Sequence, residues 1–269
     1  IFINDTMKIS KYKKNIVVYG NTSKKKKFNN NYINLDYNKS FIKSSSKSYI
    51  LEFLKKEKEY NSSIIEFHNR PSYLKYLTKL KYAKKVLYFH NDPLEMNGSK
   101  LVSDRIFLLD NLSKIIFNSD WSKSRFIKNL PHEYQYSNKL QIIKQSVDPK
   151  KINFKDKKKI VTFVGKLNSA KGYDIFGNAV IPVLNKFKDW SAIVIGDEPR
   201  EKILFNHPRL KILGFQNHKN VLKKLEETSI AVVCSRWNEP FGRTSLEAAS
   251  RGCGVIISDR GGLKETITD

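Results

Sequence analysis

Residues 238–249, NEPFGRTSLEAA, decide the predicted fold because apolar runs flank them on both sides. The apolar pattern predicts a buried strand over residues 229–235, a helix over 244–251 and a further strand over 254–258. The motif therefore occupies a strand-to-helix crossover at the carboxyl end of a parallel sheet, where open α/β sheets bind ligands. Free N–H groups at the start of such a helix, together with the helix dipole, suit a phosphate group.

Two glutamates lie eight positions apart in this motif, Glu239 in the loop and Glu247 inside the predicted helix. Their carboxylates are therefore expected at different places, where each accepts hydrogen bonds from different sugar hydroxyls. A structural helix with two solvated glutamates is the competing interpretation. The Pro-Phe-Gly turn between the glutamates and the glycine-rich strand that follows favour a site for a sugar nucleotide.

A second motif, GKLNSAKG at residues 165–172, follows a predicted apolar strand over residues 160–164 and precedes a helical pattern. Gly165 permits a tight turn, and Lys166 and Lys171 place two cations beside the start of the next helix. Cations suit a leaving diphosphate, because negative charge grows on it as a glycosidic bond breaks. In so lysine-rich a chain, ordinary surface lysines are the alternative, and the glycines around them favour binding.

These two motifs resemble the E-x7-E signature and the G-R-L-x-x-x-K-G element of retaining glycosyltransferases of family 4, which have the GT-B fold. The resemblance is dense over residues 160–265. Lys166 departs from the family pattern, which has arginine there; lysine keeps the charge but loses the planar fork that binds phosphate with two hydrogen bonds. Further matching strand ends and loops lie at residues 192–197, 210–215 and 258–265.

The resemblance implies a role for each matched position. Glu247 would bind the ribose hydroxyls, Glu239 would face the transferred sugar, and Lys171 would stabilise the departing diphosphate. The catalytic residues expected on this basis are Glu239, Lys171 and His90. The residues expected to bind the nucleotide sugar are Gly165, Lys166, Lys171, Gly214, Phe241, Gly242, Arg243, Thr244 and Glu247.

The amino-terminal half has the pattern of a second α/β unit, with short apolar runs separated by helical patterns. His68 and His90 each end a predicted strand and precede a loop that contains a proline. A family 4 histidine after an amino-domain strand often faces the reacting sugar, and His90 is the better candidate. A satisfied, partly buried histidine is an equal alternative. The predicted strands cover residues 15–19, 63–67, 85–89 and 114–118, and the helices cover 73–84 and 104–112.

We therefore predict an α/β protein of GT-B type, with two Rossmann-like domains facing a cleft. Residues 1–148 would form the acceptor-side domain and residues 149–269 the nucleotide-sugar domain. Relative to the family pattern, a first strand with its glycine-rich loop would precede residue 1, and one or two helices would follow residue 269. The chain is accordingly expected to be an internal fragment, with both domains incomplete.

The formal charge of +24 has three candidate explanations. Abundant Lys, Asn and Ile indicate a compositional origin. Attraction to an anionic membrane surface ranks second, at about 1 kcal/mol per nearby basic side chain, and the leucine stripe within residues 72–85 is its best local candidate, although packing of those leucines on the sheet is favoured there. Specific nucleic-acid binding ranks last, because no named motif for it occurs. The lysine run at residues 24–27 is interpreted as a solvated loop.

The remaining composition argues against several classes of protein. No apolar run approaches the roughly 20 residues that span a bilayer. Cys234 and Cys253 both lie in or beside apolar strands, which favours reduced core thiols and a cytoplasmic location. The expected position within the cytoplasm is peripheral, at the inner face of the membrane. No cluster has metal-ligand spacing, so neither a metal nor a cofactor is expected.

The predicted function is a retaining hexosyltransferase that moves a sugar from an NDP-sugar to a glycan or lipid-linked acceptor. Synthesis of cell-surface polysaccharide or lipopolysaccharide is the expected setting. Two alternatives stay open, namely another GT-B enzyme such as a sugar-nucleotide epimerase, and a non-catalytic basic protein that binds nucleic acid or acts as a scaffold.

Overall fold

The computed structural model of the chain describes residues 2–21, 31–36, 45–148 and 150–267. The helices are α1 (Phe2–Ile9), α2 (Ser45–Tyr60), α3 (Leu74–Leu77), α4 (Val102–Asn111), α5 (Asp120–Ile127), α6 (His132–Gln135), α7 (Tyr173–Lys186), α8 (His218–Glu227) and α9 (Arg243–Ser250). The strands are β1 (Val18–Gly20), β2 (Tyr32–Asn34), β3 (Ile64–His68), β4 (Lys84–Phe89), β5 (Lys114–Phe117), β6 (Leu140–Ile142), β7 (Lys158–Val164), β8 (Ser191–Ile195), β9 (Leu210–Ile212), β10 (Thr228–Val233) and β11 (Gly254–Ile257).

The carboxyl-terminal half forms a five-stranded parallel sheet in the order β11-β10-β7-β8-β9. From β7 the chain continues to β8 and β9 on one side, and β10 and β11 are then added on the other side. The strand order therefore reverses between β7 and β10. In open α/β sheets such a reversal opens a crevice at the carboxyl ends of the two strands, which is where ligands bind.

Helices cover both faces of this sheet, and each face has its own apolar core. On one face Val161 and Phe163 of β7 pack with Tyr173, Phe176 and Val180 of α7. The opposite face contains Ile195 and Ala231 from the sheet, Val221 and Leu225 from α8, and Ala248 from α9. Burial on both faces explains why these strands are continuous apolar runs without alternation.

The amino-terminal half contains a parallel pair, β1 with β2, and a four-stranded sheet in the order β3-β4-β5-β6. The strands predicted from the sequence are confirmed within a few residues, as is the predicted helix that forms α4. Helix α2 and strand β2 were not predicted. The lysine run at residues 24–27 lies outside the described residues.

The helix predicted over residues 73–84 is wrong in its length, since α3 ends at Leu77 and turns follow until β4 begins. Its leucines are core residues: Leu74 is 0% exposed, Leu77 1% and Leu80 8%. The ammonium of Lys85 donates to the Leu80 carbonyl at 2.5 Å, which satisfies a backbone acceptor in the turn where a longer helix would have continued. The candidate membrane-facing helix over residues 72–85 is therefore not present.

Backbone contacts divide the chain into two compact units. The first comprises Ile1–Tyr88, Met96–Ile115 and Leu130–Lys139, and the second comprises Phe89–Glu95, Ile116–Asn129 and Leu140–Asp269. The whole five-stranded sheet belongs to the second unit. The domain boundary at residues 148 and 149 stays a prediction.

Candidate functional site

A pocket opens in the second unit at the carboxyl ends of β7 and β10, the point at which the strand order reverses. It has a volume of about 420 Å³, counted with the solvent space in its mouth. Six of the predicted site residues line it: Gly165, Lys171, Glu239, Gly242, Arg243 and Thr244.

The pocket contains an ion pair between two predicted catalytic residues, which are 68 positions apart in the chain. The Lys171 Nζ atom lies 2.5 Å from the Glu239 Oε1 atom. The side chain of Lys171 is 33% exposed and that of Glu239 14%, and both residues line the pocket. The Asn168 side chain accepts from the Lys171 backbone N–H at 2.9 Å and so fixes the turn that carries the lysine.

Gly172 brings this lysine turn against the loop that follows β10. Its φ of +73° lies in the left-handed region, and an added Cβ would lie 1.9 Å from the Cys234 carbonyl oxygen. In return, the Cys234 thiol donates to the Gly172 carbonyl at 3.0 Å. Only glycine allows so close an approach of two backbones, which explains the glycine that closes the second sequence motif.

Arg236 and Asp174 make a second connection at the same place, and neither was singled out in the sequence. Their guanidinium and carboxylate form two hydrogen bonds, of 2.6 and 2.7 Å. The hydrogen bonds from Arg236, followed by its charge, hold the pKa of the Asp174 carboxyl below its usual value. The backbone N–H of Arg236 also donates to the Ala170 carbonyl at 2.9 Å. Separations of 62 and 66 positions left no local signal for these contacts.

The second wall of the pocket is the start of α9, where Gly242 occupies the position before the first helical residue with φ +100°. A Cβ added there would lie 2.3 Å from the Leu263 Cδ1 atom. The N–H groups of the first helical turn have no partner within an α-helix. In α9 the Ser245 and Leu246 N–H groups donate to the Gly242 carbonyl at 3.1 and 3.5 Å, and the first two helical residues, Arg243 and Thr244, line the pocket.

Two hydrogen bonds fasten the loop that carries Glu239, and Glu265 ties the turn after β11 to α5. The Gly262 N–H donates to the Glu239 carbonyl at 2.7 Å, and the Ser119 hydroxyl donates to the Pro240 carbonyl at 2.5 Å. The Glu265 carboxylate accepts from the backbone N–H groups of Asp120 at 2.8 Å and Trp121 at 2.9 Å, at the start of α5. The backbone of the Glu239 loop is thus held from both sides.

Ser119 also caps the start of α5. Its hydroxyl accepts from the Ser122 N–H at 2.9 Å, as an N-cap residue does. A serine just before a helical pattern is a local signal for such a cap. No local pattern signals the contact of Ser119 with Pro240, which lies 121 positions away.

Glu247 lies one helical turn beyond Arg243 in α9 and is 7% exposed. Its Oε1 atom is 2.7 Å from Arg243 Nε and 2.9 Å from His218 Nε2. A buried carboxylate requires such partners, because loss of hydration would otherwise disfavour its charge. His218 was not among the predicted site residues, and its own sequence neighbourhood has no feature that identifies it.

Three other predicted nucleotide contacts lie outside the pocket lining. Lys166 is exposed at the surface, in the electrostatic neighbourhood of Glu198. Gly214 adopts φ +65° and its carbonyl accepts from the Gly196 N–H at 2.9 Å. Phe241 is 4% exposed and is therefore a core residue. Their roles in binding stay predictions.

His90 belongs to the second unit, at the end of β4. Its Nδ1 atom is 2.8 Å from the Gln145 side-chain nitrogen, and its carbonyl accepts from the Asn118 side chain at 3.1 Å. If the Gln145 amide donates, Nδ1 is the acceptor and the ring proton is carried on Nε2. The structure thus orients the imidazole, and its role at a reacting sugar stays a prediction.

The structure also bears on metals and membranes. Within the described parts of the chain, no three His, Cys, Asp or Glu side chains come together in a group that would hold a metal ion. No helix in residues 2–21, 31–36, 45–148 or 150–267 has both the length and the apolar character needed to cross a bilayer. Cys234 and Cys253 are free thiols, as predicted, and burial raises the pKa of each.

Comparison with known proteins places the pocket within a matched region. Residues 144–269 match the family model of glycosyl transferases group 1, and all residues that line the pocket fall inside this range. An uncharacterized glycosyltransferase of Methanocaldococcus jannaschii is 29% identical over 158 residues, which are 56% of this chain and 40% of that protein. The lipopolysaccharide core biosynthesis mannosyltransferase LpsB of Rhizobium meliloti is 31% identical over 121 residues, 41% of this chain and 34% of its own.

Solved structures extend the likeness to the amino-terminal half. Anabaena Alr3699/HepE in complex with UDP-glucose has a TM-score of 0.64 and 20% identity, over 82% of this chain and 66% of that chain. The likeness confirms the predicted α/β fold of GT-B type. The match spans less than half the length of the two relatives named above.

Proposed function

We propose that the protein to which this chain belongs is a glycosyltransferase that moves a hexose-type sugar from an NDP-sugar donor to a glycan or lipid-linked acceptor. The observation that carries the proposal is the meeting of the Lys171–Glu239 ion pair and the start of α9 in one pocket. A cation, an anion and the first residues of a helix stand there together at the strand reversal of a parallel sheet. The match of residues 144–269 to glycosyl transferases group 1 supports it.

In this proposal, the start of α9 and Lys171 bind the diphosphate of the donor. Both are positive in character, the first through its N–H groups and dipole and the second through its ammonium. Glu239 is then released from Lys171 to accept hydrogen bonds from hydroxyls of the transferred sugar. Thr244 and Arg243 add donors on the same wall, and Gly165 leaves room for the phosphates at the end of β7.

The proposed chemistry retains the configuration at the anomeric carbon. The bond from this carbon to the diphosphate oxygen breaks, and its electron pair leaves with the diphosphate. The acceptor hydroxyl oxygen forms the new bond on the same face, and its proton passes to an oxygen of the leaving diphosphate. Lys171 and the N–H groups of α9 stabilise the growing negative charge, which is the largest electrostatic demand of the step. In the same proposal His90 lines the sugar or acceptor side.

The proposed setting is synthesis of a cell-surface polysaccharide or lipopolysaccharide, at the cytoplasmic face of a membrane. Support comes from the named function of the LpsB relative and from the charge of +24, which attracts an anionic surface. No metal is required, because Lys171 and the helix start supply the positive charge that a divalent ion would otherwise bring to the diphosphate.

The test begins with thermal shifts of the chain, extended to its natural ends, with UDP-, GDP- and ADP-sugars. A ligand that binds only the native state raises the melting temperature, and the nucleotide that does so names the base. Release of NDP that depends on added acceptor then shows transfer, and NMR of the product shows the anomeric configuration. NDP release or sugar isomerisation without an acceptor would indicate an epimerase. Absence of any nucleotide binding would overturn the proposal.

A further inference from the structure

The contact between His218 and Glu247 is built by the packing of two helices. His218 is the first residue of α8, where Asn217 caps the helix by accepting from the Asn220 N–H at 3.0 Å. Helices α8 and α9 share one apolar cluster, to which α8 contributes Val221 and Leu225. The packing of these two helices therefore brings the imidazole to Glu247.

The contact with a carboxylate indicates which nitrogen of the His218 imidazole donates the hydrogen bond. An ionised carboxylate only accepts hydrogen bonds, so the His218 Nε2 atom, 2.9 Å from Oε1, carries the proton. Arg243 donates to the same oxygen at 2.7 Å. The two donors differ in one respect: Arg243 lines the pocket, whereas His218 does not.

This difference matters for the complex with a donor diphosphate, which is part of the proposed function. A phosphate in the pocket competes with Glu247 for the Arg243 guanidinium, since planar guanidinium groups bind phosphate well. Glu247 then retains His218 as the partner that a phosphate at the pocket does not displace. Without the His218 donor, the Glu247 carboxylate, which is 7% exposed, would lose its orientation and a hydrogen bond that replaces its lost hydration.

We propose that His218 is a positioning residue that holds the Glu247 carboxylate in place for the ribose hydroxyls of the nucleotide. The inference rests on the proposed function and adds a residue outside the matched motifs to the donor site. His218 does not touch the reacting atoms. Its effect therefore falls on donor affinity, and on the part of that affinity which depends on ribose hydroxyls.

The experiment uses the full-length protein and calorimetric titration with two probes. These are the nucleoside diphosphate selected by the thermal-shift panel and its 2′,3′-dideoxy form, which lacks the ribose hydroxyls. His218→Leu removes the donor, and His218→Gln keeps an N–H at a similar reach. His207→Leu is the matched control, because His207 is a partly exposed histidine that contacts Asn185 at 3.2 Å and is not in the pocket.

We expect His218→Leu to weaken binding of the normal nucleotide about tenfold, the size of one hydrogen bond to a charged group. The dideoxy probe should bind the variant and the wild type equally. His218→Gln should stay within about threefold of the wild type, as should His207→Leu. In transfer assays, the KM for the donor should rise in His218→Leu while kcat at saturating donor stays unchanged.

Two results would overturn this inference while leaving the proposed function intact. One is unchanged affinity in His218→Leu, and the other is an equal loss for both probes, which would mean a general structural effect. A failure of the wild-type protein to bind any nucleoside diphosphate is a different result. It would overturn the proposed function itself, and the role of His218 with it.

Discussion

The Lys171 ammonium lies 2.5 Å from the Glu239 carboxylate, although the two residues come from different crossovers of the sheet. The pair stands at the carboxyl ends of β7 and β10, where the strand order reverses. A cation that is already paired with a carboxylate must exchange that partner to bind a phosphate. Binding of a diphosphate to Lys171 would therefore release the Glu239 carboxylate from its ion pair.

Replacement of Glu239 by Gln is expected to strengthen binding of the free nucleoside diphosphate several-fold and to slow sugar transfer. The neutral amide no longer competes with phosphate for Lys171, but it also orients the sugar less well. Calorimetric titration with the nucleoside diphosphate and initial rates with the NDP-sugar measure the two effects. Glu227→Gln is the matched control, since it removes a charge paired with Lys158 at 3.0 Å. If Glu239→Gln binds the nucleoside diphosphate more weakly while Glu227→Gln does not, Glu239 does not compete with phosphate for Lys171.

The two lysines of the second motif should differ in importance. Lys171 lines the pocket and is expected to stabilise the leaving diphosphate, so Lys171→Ala should lower kcat by about 100-fold. Lys166 is exposed outside the lining, and Lys166→Ala should change kcat by less than about threefold. Steady-state rates of both variants at saturating donor check this. Equal losses would show that Lys166 reaches the donor despite its position.

Substitution of Gly172 should destabilise the chain more than substitution of Gly214, although the two have nearly the same φ, +73° and +65°. Both alanines meet the cost of the left-handed region, roughly 1–2 kcal/mol. Gly172→Ala also forces the Cβ against the Cys234 carbonyl, whereas nothing lies within 4 Å of a Cβ at Gly214. Urea unfolding of the two variants measures the difference. Equal free energies of unfolding would mean that the loops separate without cost.

Lys157 is expected to stabilise the carboxyl-terminal half through its ammonium group. Its Nζ atom lies 3.0, 2.7 and 2.6 Å from the carbonyl oxygens of Leu225, Thr228 and Arg251. Lys157→Met leaves those acceptors without this donor and should lower the free energy of unfolding by about 1–3 kcal/mol. The neighbouring Lys158, whose side chain is 63% exposed, is the control. Lys158→Met should cost no more than about 1 kcal/mol, and an equal loss in the two variants would contradict the argument.

Much of the fold was predictable because the signals are local. Apolar runs predicted strands β7, β8 and β10, and the motifs that contain Gly172 and Gly242 predicted the starts of α7 and α9 to within one residue. The error over residues 73–84 had a physical cause. A stripe of leucines at helical spacing also arises when a short helix and a turn pack on the same core.

The candidate site was predictable in part, and for the same reason. Lys171, Glu239 and Gly242 lie in motifs whose spacing has a chemical meaning, and all three line the pocket. Arg236 and His218 have no such motif around them. They meet Asp174 and Glu247 only after the helices have packed, so nothing near them in the chain predicted the contacts.

The sequence by itself determined the parallel α/β architecture and the two crossovers that suit a phosphate. These features depend on the hydrophobic period, the positions of glycines and the placement of charged residues, all of which are signals within a few residues of the chain. The tertiary structure decided which side chains share a pocket. Packing of helices on a sheet brings together groups 29 to 121 positions apart, as in Glu247 with His218 and Pro240 with Ser119. Each such contact depends on backbone placement to within a hydrogen-bond length, and no local pattern encodes that.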